Sequence, residues 1–229
     1  IIIPCRRNSS RVKFKNRKKI KGKTLYELAI QQAKMVSNKN IKFVVNTDDE
    51  EILKYCYKNK IDCYKRKKIH ARTNSNVSET IIDMLSNKFN KKIYDIKNII
   101  ILQTTSPLRK LFDIRNAIKI FNKGKYKSLC SLSETNINVN WINKLNKKLS
   151  LETFLPTKLL FKNSQDLPKS YGVNGAIFIS DLDGYIKFKR FFNRPKSIAY
   201  VMPESRSIDI DTEFDYRICK SLIEMNLND

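Results

Sequence analysis

The stretch Asn98-Ile99-Ile100-Ile101-Leu102-Gln103-Thr104-Thr105-Ser106-Pro107-Leu108-Arg109 decides how the rest of the chain is read. Four large apolar residues in a row, Ile99 to Leu102, fit a strand buried on both faces. The run stops at Gln103, whose amide both donates and accepts hydrogen bonds and so suits a sugar hydroxyl. Ser106, Pro107 and Arg109 then lead into a helical pattern from Leu111 to Phe121. A strand that ends in polar residues suits a pocket wall, because ligands of open α/β sheets sit beyond the carboxyl ends of the strands.

The alternation of strand and helix continues in both directions. Upstream, Ile1–Cys5 and Ile41–Asn46 read as strands and Asp62–Tyr64 as a short one. Leu25, Leu28, Ala29, Ala33 and Val36 follow helical spacing, as do Ile81, Ile82, Leu85 and Phe89. Downstream, Tyr126–Leu132, Gly175–Ser180 and Ser197–Met202 read as strands, and a last helix runs from about Thr212 to Met225. The pattern predicts an α/β fold, a mainly parallel sheet with helices on both faces. One domain can use all 229 residues. Residues from about 134 to 171 break the rhythm. They are Asn-rich, hold the only tryptophan, Trp141, and are expected to form an insertion of hairpins and loops.

Composition narrows the chemistry. With 41% hydrophobic and 30% charged residues, the chain has a core and is not a disordered tail. No apolar run approaches the length of a bilayer span. No charged-then-apolar signal opens it, so the cytoplasm is the expected compartment. It begins inside an apolar run without Met, and a few residues are expected to precede Ile1. Five cysteines without a C-x-x-C argue against disulfides and a zinc knuckle and for buried thiols. The single histidine, His70, excludes a multi-His zinc site and leaves oxygen ligands, which favour magnesium. A net charge of +24 raises the alternative of a basic nucleic-acid-binding protein. Lys, Asn and Ile, all abundant, have A/T-rich codons, and the cations are spread along the chain, so nucleic acid is not the expected partner.

Three further segments carry candidate chemistry. Cys5 to Asn16 follows the first strand and mixes Arg6, Arg7, Arg11, Lys13 and Lys15 with small polar residues, an arrangement able to hold a triphosphate. It contains no glycine and is not a Walker loop. Ser207-Ile208-Asp209-Ile210-Asp211-Thr212, if extended, puts both aspartates on one face and both isoleucines on the other. Such a pair suits a magnesium ion that also contacts phosphate, though Asp211 or Thr212 could instead cap the last helix. The run Asp48–Glu51 offers a competing metal site and reads better as a helix N-terminus.

In order, these segments resemble the acylneuraminate cytidylyltransferases, the CMP-sialic acid synthetase family. The family loop A-R-x-x-S-K-R-x-P-x-K-N is here C-R-R-N-S-S-R-V-K-F-K-N; its S-T-D-D-E-E-I is N-T-D-D-E-E-I. L-Q-P-T-S-P-L-R is L-Q-T-T-S-P-L-R at 102–109, and L-P-x-x-Y-x-x-N-G-A-I-Y-I is L-P-K-S-Y-G-V-N-G-A-I-F-I at 167–179. S-I-D-I-D-T-E-x-D recurs at 207–215.

The resemblance implies a nucleotide-diphospho-sugar-transferase-like fold and a homodimer that uses the 134–171 insertion. It implies that CTP and a nonulosonic acid, a nine-carbon 2-keto sugar acid of the sialic or legionaminic type, give CMP-sugar and pyrophosphate with Mg2+. By motif position Arg6 and Lys15 fall on the triphosphate and Asp209 and Asp211 on the metal, the four catalytic candidates. Asn16, Arg66, Gln103, Ser106, Arg109 and Asn174 fall among substrate-binding positions. The chain departs from the family at Arg7 and Asn8, in place of a Gly pair. Further departures are Ser10 for Lys, Lys13 for Pro, Lys67 for Pro, Ser164 for Arg and Gly172 for an occasional Arg. A differently shaped triphosphate loop is expected, and a degenerate, inactive relative is a second alternative.

Overall fold

A computed structural model describes residues 1–9, 11–72, 75–89, 93, 95–160, 162–191 and 196–226. The first half alternates as the apolar pattern requires. Strand β1 (Ile2–Cys5) leads through a short hairpin, β2 (Lys19–Ile20) and β3 (Lys23–Thr24), into helix α1 (Leu25–Val36). Then come β4 (Val44–Thr47), α2 (Glu50–Lys58), β5 (Cys63–Lys65), α3 (Val77–Lys88), β6 (Asn98–Ile101) and α4 (Leu111–Lys123). The second half holds β7 (Ser128–Glu134), α5 (Thr157–Leu160), β8 (Tyr171–Asp181), α6 (Leu182–Phe188), β9 (Ser197–Met202) and α7 (Glu213–Glu224).

Among the described residues, seven strands form one sheet in the order β5-β4-β1-β6-β8-β7-β9. β1, β4, β5 and β6 pair in parallel, as do β7 and β9, while β8 runs against both β6 and β7. The period-2 rule sorts the core. Ile3, Cys5, Ile100 and Leu102 face α1, α2 and α4; Ile2, Ile99 and Ile101 face α3 and α6. The uninterrupted isoleucines of β6 therefore serve both faces, as a buried central strand demands. All five cysteines are free, and four of them are buried.

Helix starts are set by local chemistry. Thr24 caps α1 in a reciprocal box with Glu27, and the buried face repeats at Tyr26, Ala29, Ile30, Ala33 and Val36. Asp49 caps α2 by accepting from the Glu51 N–H. Thr212 and Asp215 form the box that opens α7. That cap falls on Thr212, so Asp211 is not spent on it.

The insertion differs from expectation. β7 runs to Glu134, which pairs with Tyr171 at the start of β8, so 135–170 is one long connection across an antiparallel pair. Among the described residues it holds 3-10 turns at Val139–Trp141 and Ser164–Asp166 and the short α5, and no hairpin. Its side chains bond locally: Asn146 Oδ1 accepts from the Lys148 and Ser150 N–H groups, and Asn138 Oδ1 from that of Asn140. Asn-rich sequence thus makes Asx turns here instead of strands.

Candidate active site

The carboxyl ends of β1, β4, β5 and β6 open at one edge, and β8, being reversed, brings its amino end there. Gly175 in β8 has φ +72°, and a side chain built on it would meet Asp209 Oδ2 at 3.2 Å and Gln103 Oε1 at 3.3 Å. The segment after β9 is held against the end of β6, where the Ile210 N–H donates to the Thr105 carbonyl at 2.8 Å. Ile208 and Ile210 pack with Ile20, Leu25, Leu108 and Cys219. The alternation expected for 207–211 holds, and both aspartates remain partly exposed.

Two cations converge on Asp211. Lys15 Nζ donates to the Ile210 carbonyl at 2.5 Å and lies 3.3 Å from Asp211 Oδ1, and Arg11 reaches Oδ2 at 2.9 Å. Asp209 sits deeper. Burial raises its carboxyl pKa, a hydrogen bond from Thr105 opposes that, the Asp211 charge raises it further and Lys15 lowers it. Its Oδ1 is buried with no hydrogen-bond partner among the described residues. Arg6, beyond β1, donates to the Arg72 carbonyl at 3.1 Å.

The ten candidates divide by burial. Arg6, Lys15, Gln103, Asp209 and Asp211 are part-exposed; Asn16, Arg66, Ser106, Arg109 and Asn174 are buried. The buried polar residues hold the protein together there. Asn16 Nδ2 donates to the Arg6 carbonyl at 2.7 Å and its Oδ1 accepts from Thr104 at 2.5 Å, tying the basic loop to β6. Arg66 donates to the side chain and carbonyl of Asn46. Arg109, only 1% exposed, donates to Gln32 Oε1 and to the carbonyls of Gln103 and Ala176. Asn174 accepts from Ser131 at 2.6 Å and donates to Ser207 at 3.0 Å. The Ser106 hydroxyl is enclosed without a partner among the described residues.

A family model described as "Cytidylyltransferase" matches residues 1–180. The chain belongs to the cytidylyltransferase family. It is 30% identical over 229 residues to a CMP-N,N'-diacetyllegionaminic acid synthase of Legionella pneumophila, covering 98% of this chain and 96% of that one. It is 29% identical to an N-acylneuraminate cytidylyltransferase of Streptococcus agalactiae over 94% of this chain, which spans about half, 51%, of that relative's length. Among solved structures, a CMP:2-keto-3-deoxy-manno-octonic acid synthetase complexed with CTP superposes with a TM-score of 0.68, covering 98% of both chains. At 13% identity, it supports the fold alone.

The residues of this cytidylyltransferase fit a divalent cation completed by its substrate. No group of three or more His, Cys, Asp or Glu able to hold a metal occurs among the described residues. The available donors are carboxylate oxygens, including the unpartnered Asp209 Oδ1, and magnesium takes few protein ligands and keeps waters or phosphate oxygens. The competing run is otherwise engaged. Asp48 Oδ1 accepts from the Arg7 N–H at 2.9 Å, and Asp49, the α2 cap, pairs with Arg17. Acids meet three cations of this loop and its flank, at Arg11–Asp211, Arg17–Glu51 and Lys18–Glu213, while Arg7 and Lys13 are exposed.

Sequence reasoning missed Arg17, Gly175 and Arg206. A positive φ beside two ligand-ready oxygens has a signal in N-G-A; the ion pairs of Arg17 and Arg206 span distant segments and have none. Among the departures, Lys67 pairs with Asp83 at 2.6 Å, while Ser10 and the Ser164 side chain lie outside the described residues. No helix among the described residues is long and apolar enough to cross a membrane.

Proposed function

We propose that this chain transfers the cytidylyl group of CTP to the anomeric hydroxyl of a nonulosonic acid of the legionaminic or sialic type and releases pyrophosphate. The observation that carries the reading is the meeting of Lys15 and Arg11 with Asp211, beside Asp209, at the edge where the family motifs converge. The hydroxyl oxygen bonds to the α-phosphorus, the bond to the β-phosphate oxygen breaks, and the hydroxyl proton leaves to solvent. Lys15, Arg6 and Arg11 bind and neutralise the triphosphate, the main demand of such a transfer. Gln103, set beside Gly175 and held from behind by Arg109, orients the sugar. Asp209 and Asp211 would hold Mg2+, which supplies charge neutralisation at phosphate oxygens when bound. CTP as a substrate fits a cytoplasmic enzyme.

The test is pyrophosphate release with CTP, UTP, ATP and GTP against sialic, legionaminic, pseudaminic and octulosonic acids. CTP with a nine-carbon acid is expected to dominate. Equal pyrophosphate release from all four triphosphates would reduce the basic loop to a charge field and end this reading.

The insertion supports a dimer. Ile142, Leu145, Leu149, Leu151 and Leu160 are all more than half exposed on one connection, a density of apolar surface that marks an interaction site. A dimer is expected in light-scattering chromatography, with Leu149→Ser/Leu151→Ser shifting it toward monomer. A wild-type monomer at micromolar concentration would remove the insertion from any interface.

A further inference from the structure

The basic loop lacks the glycine pair and the proline that its family uses to shape it, yet it turns tightly. Phe14 takes φ +50°, a left-handed conformation unfavourable for a side chain of that bulk, so the surroundings must impose it. The strongest brace is Arg17. Its guanidinium forks onto Asp49, Nε to Oδ2 at 2.9 Å and Nη2 to Oδ1 at 2.5 Å, and its Nη1 reaches Glu51 Oε2 at 2.6 Å. Asp49 is 1% exposed and fixed as the cap of α2, so the anchor is rigid. From the same side chain, the guanidinium lies 5.1 Å over the Phe14 ring, and the Arg17 N–H donates to the Phe14 carbonyl at 2.9 Å. Lys15 sits between these two residues, with Nζ aimed at the Ile210 carbonyl and Asp211.

We propose that Arg17 is a positioning residue for the triphosphate: its fork onto Asp49 and Glu51 fixes the Phe14 turn and thereby aims Lys15 into the cleft. The acidic run that opens α2 then serves the nucleotide site indirectly, as the anchor of the loop that binds phosphate. This proposal rests on the cytidylyltransferase reading. It goes further by giving function to Arg17, which lies outside the motif residues, and by explaining how the loop is shaped without glycine or proline.

The experiment is a double-mutant cycle read by calorimetric CTP binding in the presence of Mg2+, with melting curves alongside. Arg17→Met keeps an apolar stem and removes the fork. It is expected to weaken CTP about tenfold in the wild-type background, the size of one charge-assisted contact, and less than about twofold in Lys15→Ala. A merely structural Arg17 would lower the melting temperature and leave the CTP affinity alone. Asp49→Asn, which still caps α2, should weaken CTP in the same direction with little loss of stability and serves if Arg17→Met folds poorly. Equal losses in both Lys15 backgrounds, or a melting loss without an affinity loss, overturn the brace and leave the enzyme reading standing. A wild-type protein that binds CTP no better than ATP overturns both.

Discussion

Asp211→Asn is expected to cut turnover by about a hundredfold or more, with no rescue by added magnesium and little change in melting temperature. Losing a ligand of the cation that neutralises the phosphate charge is expected to cost on that order, because an Asn keeps the shape and one oxygen but not the charge that opposes Mg2+. Stability should hold because the cap of α7 belongs to Thr212 and Asp215. Two ion pairs vanish; the one to Arg11 is exposed on both sides and contributes only about 0–1 kcal/mol, while the one to Lys15 involves a largely buried side chain. Lys15 keeps its bond to the Ile210 carbonyl. The companion Asp209→Asn makes the contrast sharper. Burial already disfavours the charged form of Asp209, so a neutral amide there should melt no lower than wild type while turnover is lost. A full-activity Asp211→Asn enzyme with an unchanged magnesium requirement would remove the pair from the site.

The sequence carried the fold at the level of elements because its signals are local. Ile99 to Leu102 fits a buried strand and three of the four lie in β6, Ser197–Met202 has the observed bounds, and Asp48–Glu51 opens a helix. The direction of β8 was not legible, because Ala176–Ile179 is apolar whichever way it runs. For the site, local polarity located the cleft but did not separate the residues that face it from those behind it. Arg109 and Asn174 look like ligand contacts because they are polar and follow or open strands at the functional edge. They are buried because backbone carbonyls at Gln103 and Ala176, the Ala176 N–H and the Ser207 hydroxyl need partners there. The contacts to the Gln103 carbonyl and the Ala176 N–H are local, but the Ala176 carbonyl that Arg109 meets and the Ser207 hydroxyl that Asn174 meets lie 67 and 33 residues away in the chain, a distance no spacing rule covers.

The largest stability effect is expected at Arg206, and it bears on how the two aspartates are held. Arg206 forks onto Asp113 in the first turn of α4, Nε to Oδ2 at 3.1 Å and Nη2 to Oδ1 at 3.0 Å, and stacks 4.6 Å from the Phe112 centroid. Tyr200 and the Lys110 N–H complete the carboxylate, which is fully buried. Arg206→Ala leaves that charge in the interior short of its counter-ion and is expected to cost about 3–5 kcal/mol. For a chain of this size that is a fall of roughly 10 °C in melting temperature. Because the burial of charge is itself costly, Arg206→Met/Asp113→Leu should recover part of the loss, the remainder being the acceptor that the Tyr200 hydroxyl and the Lys110 N–H lose. The acidic segment begins at the next residue, where Ser207 is tied to Asn174 and Ile210 to Thr105. Those two ties persist in the double variant, so it should keep most of its turnover below its melting point. An Arg206→Ala melting curve within about a degree of wild type would mean that Asp113 is satisfied by Tyr200 and the backbone alone. The segment would then owe its place to the Asn174 and Thr105 contacts.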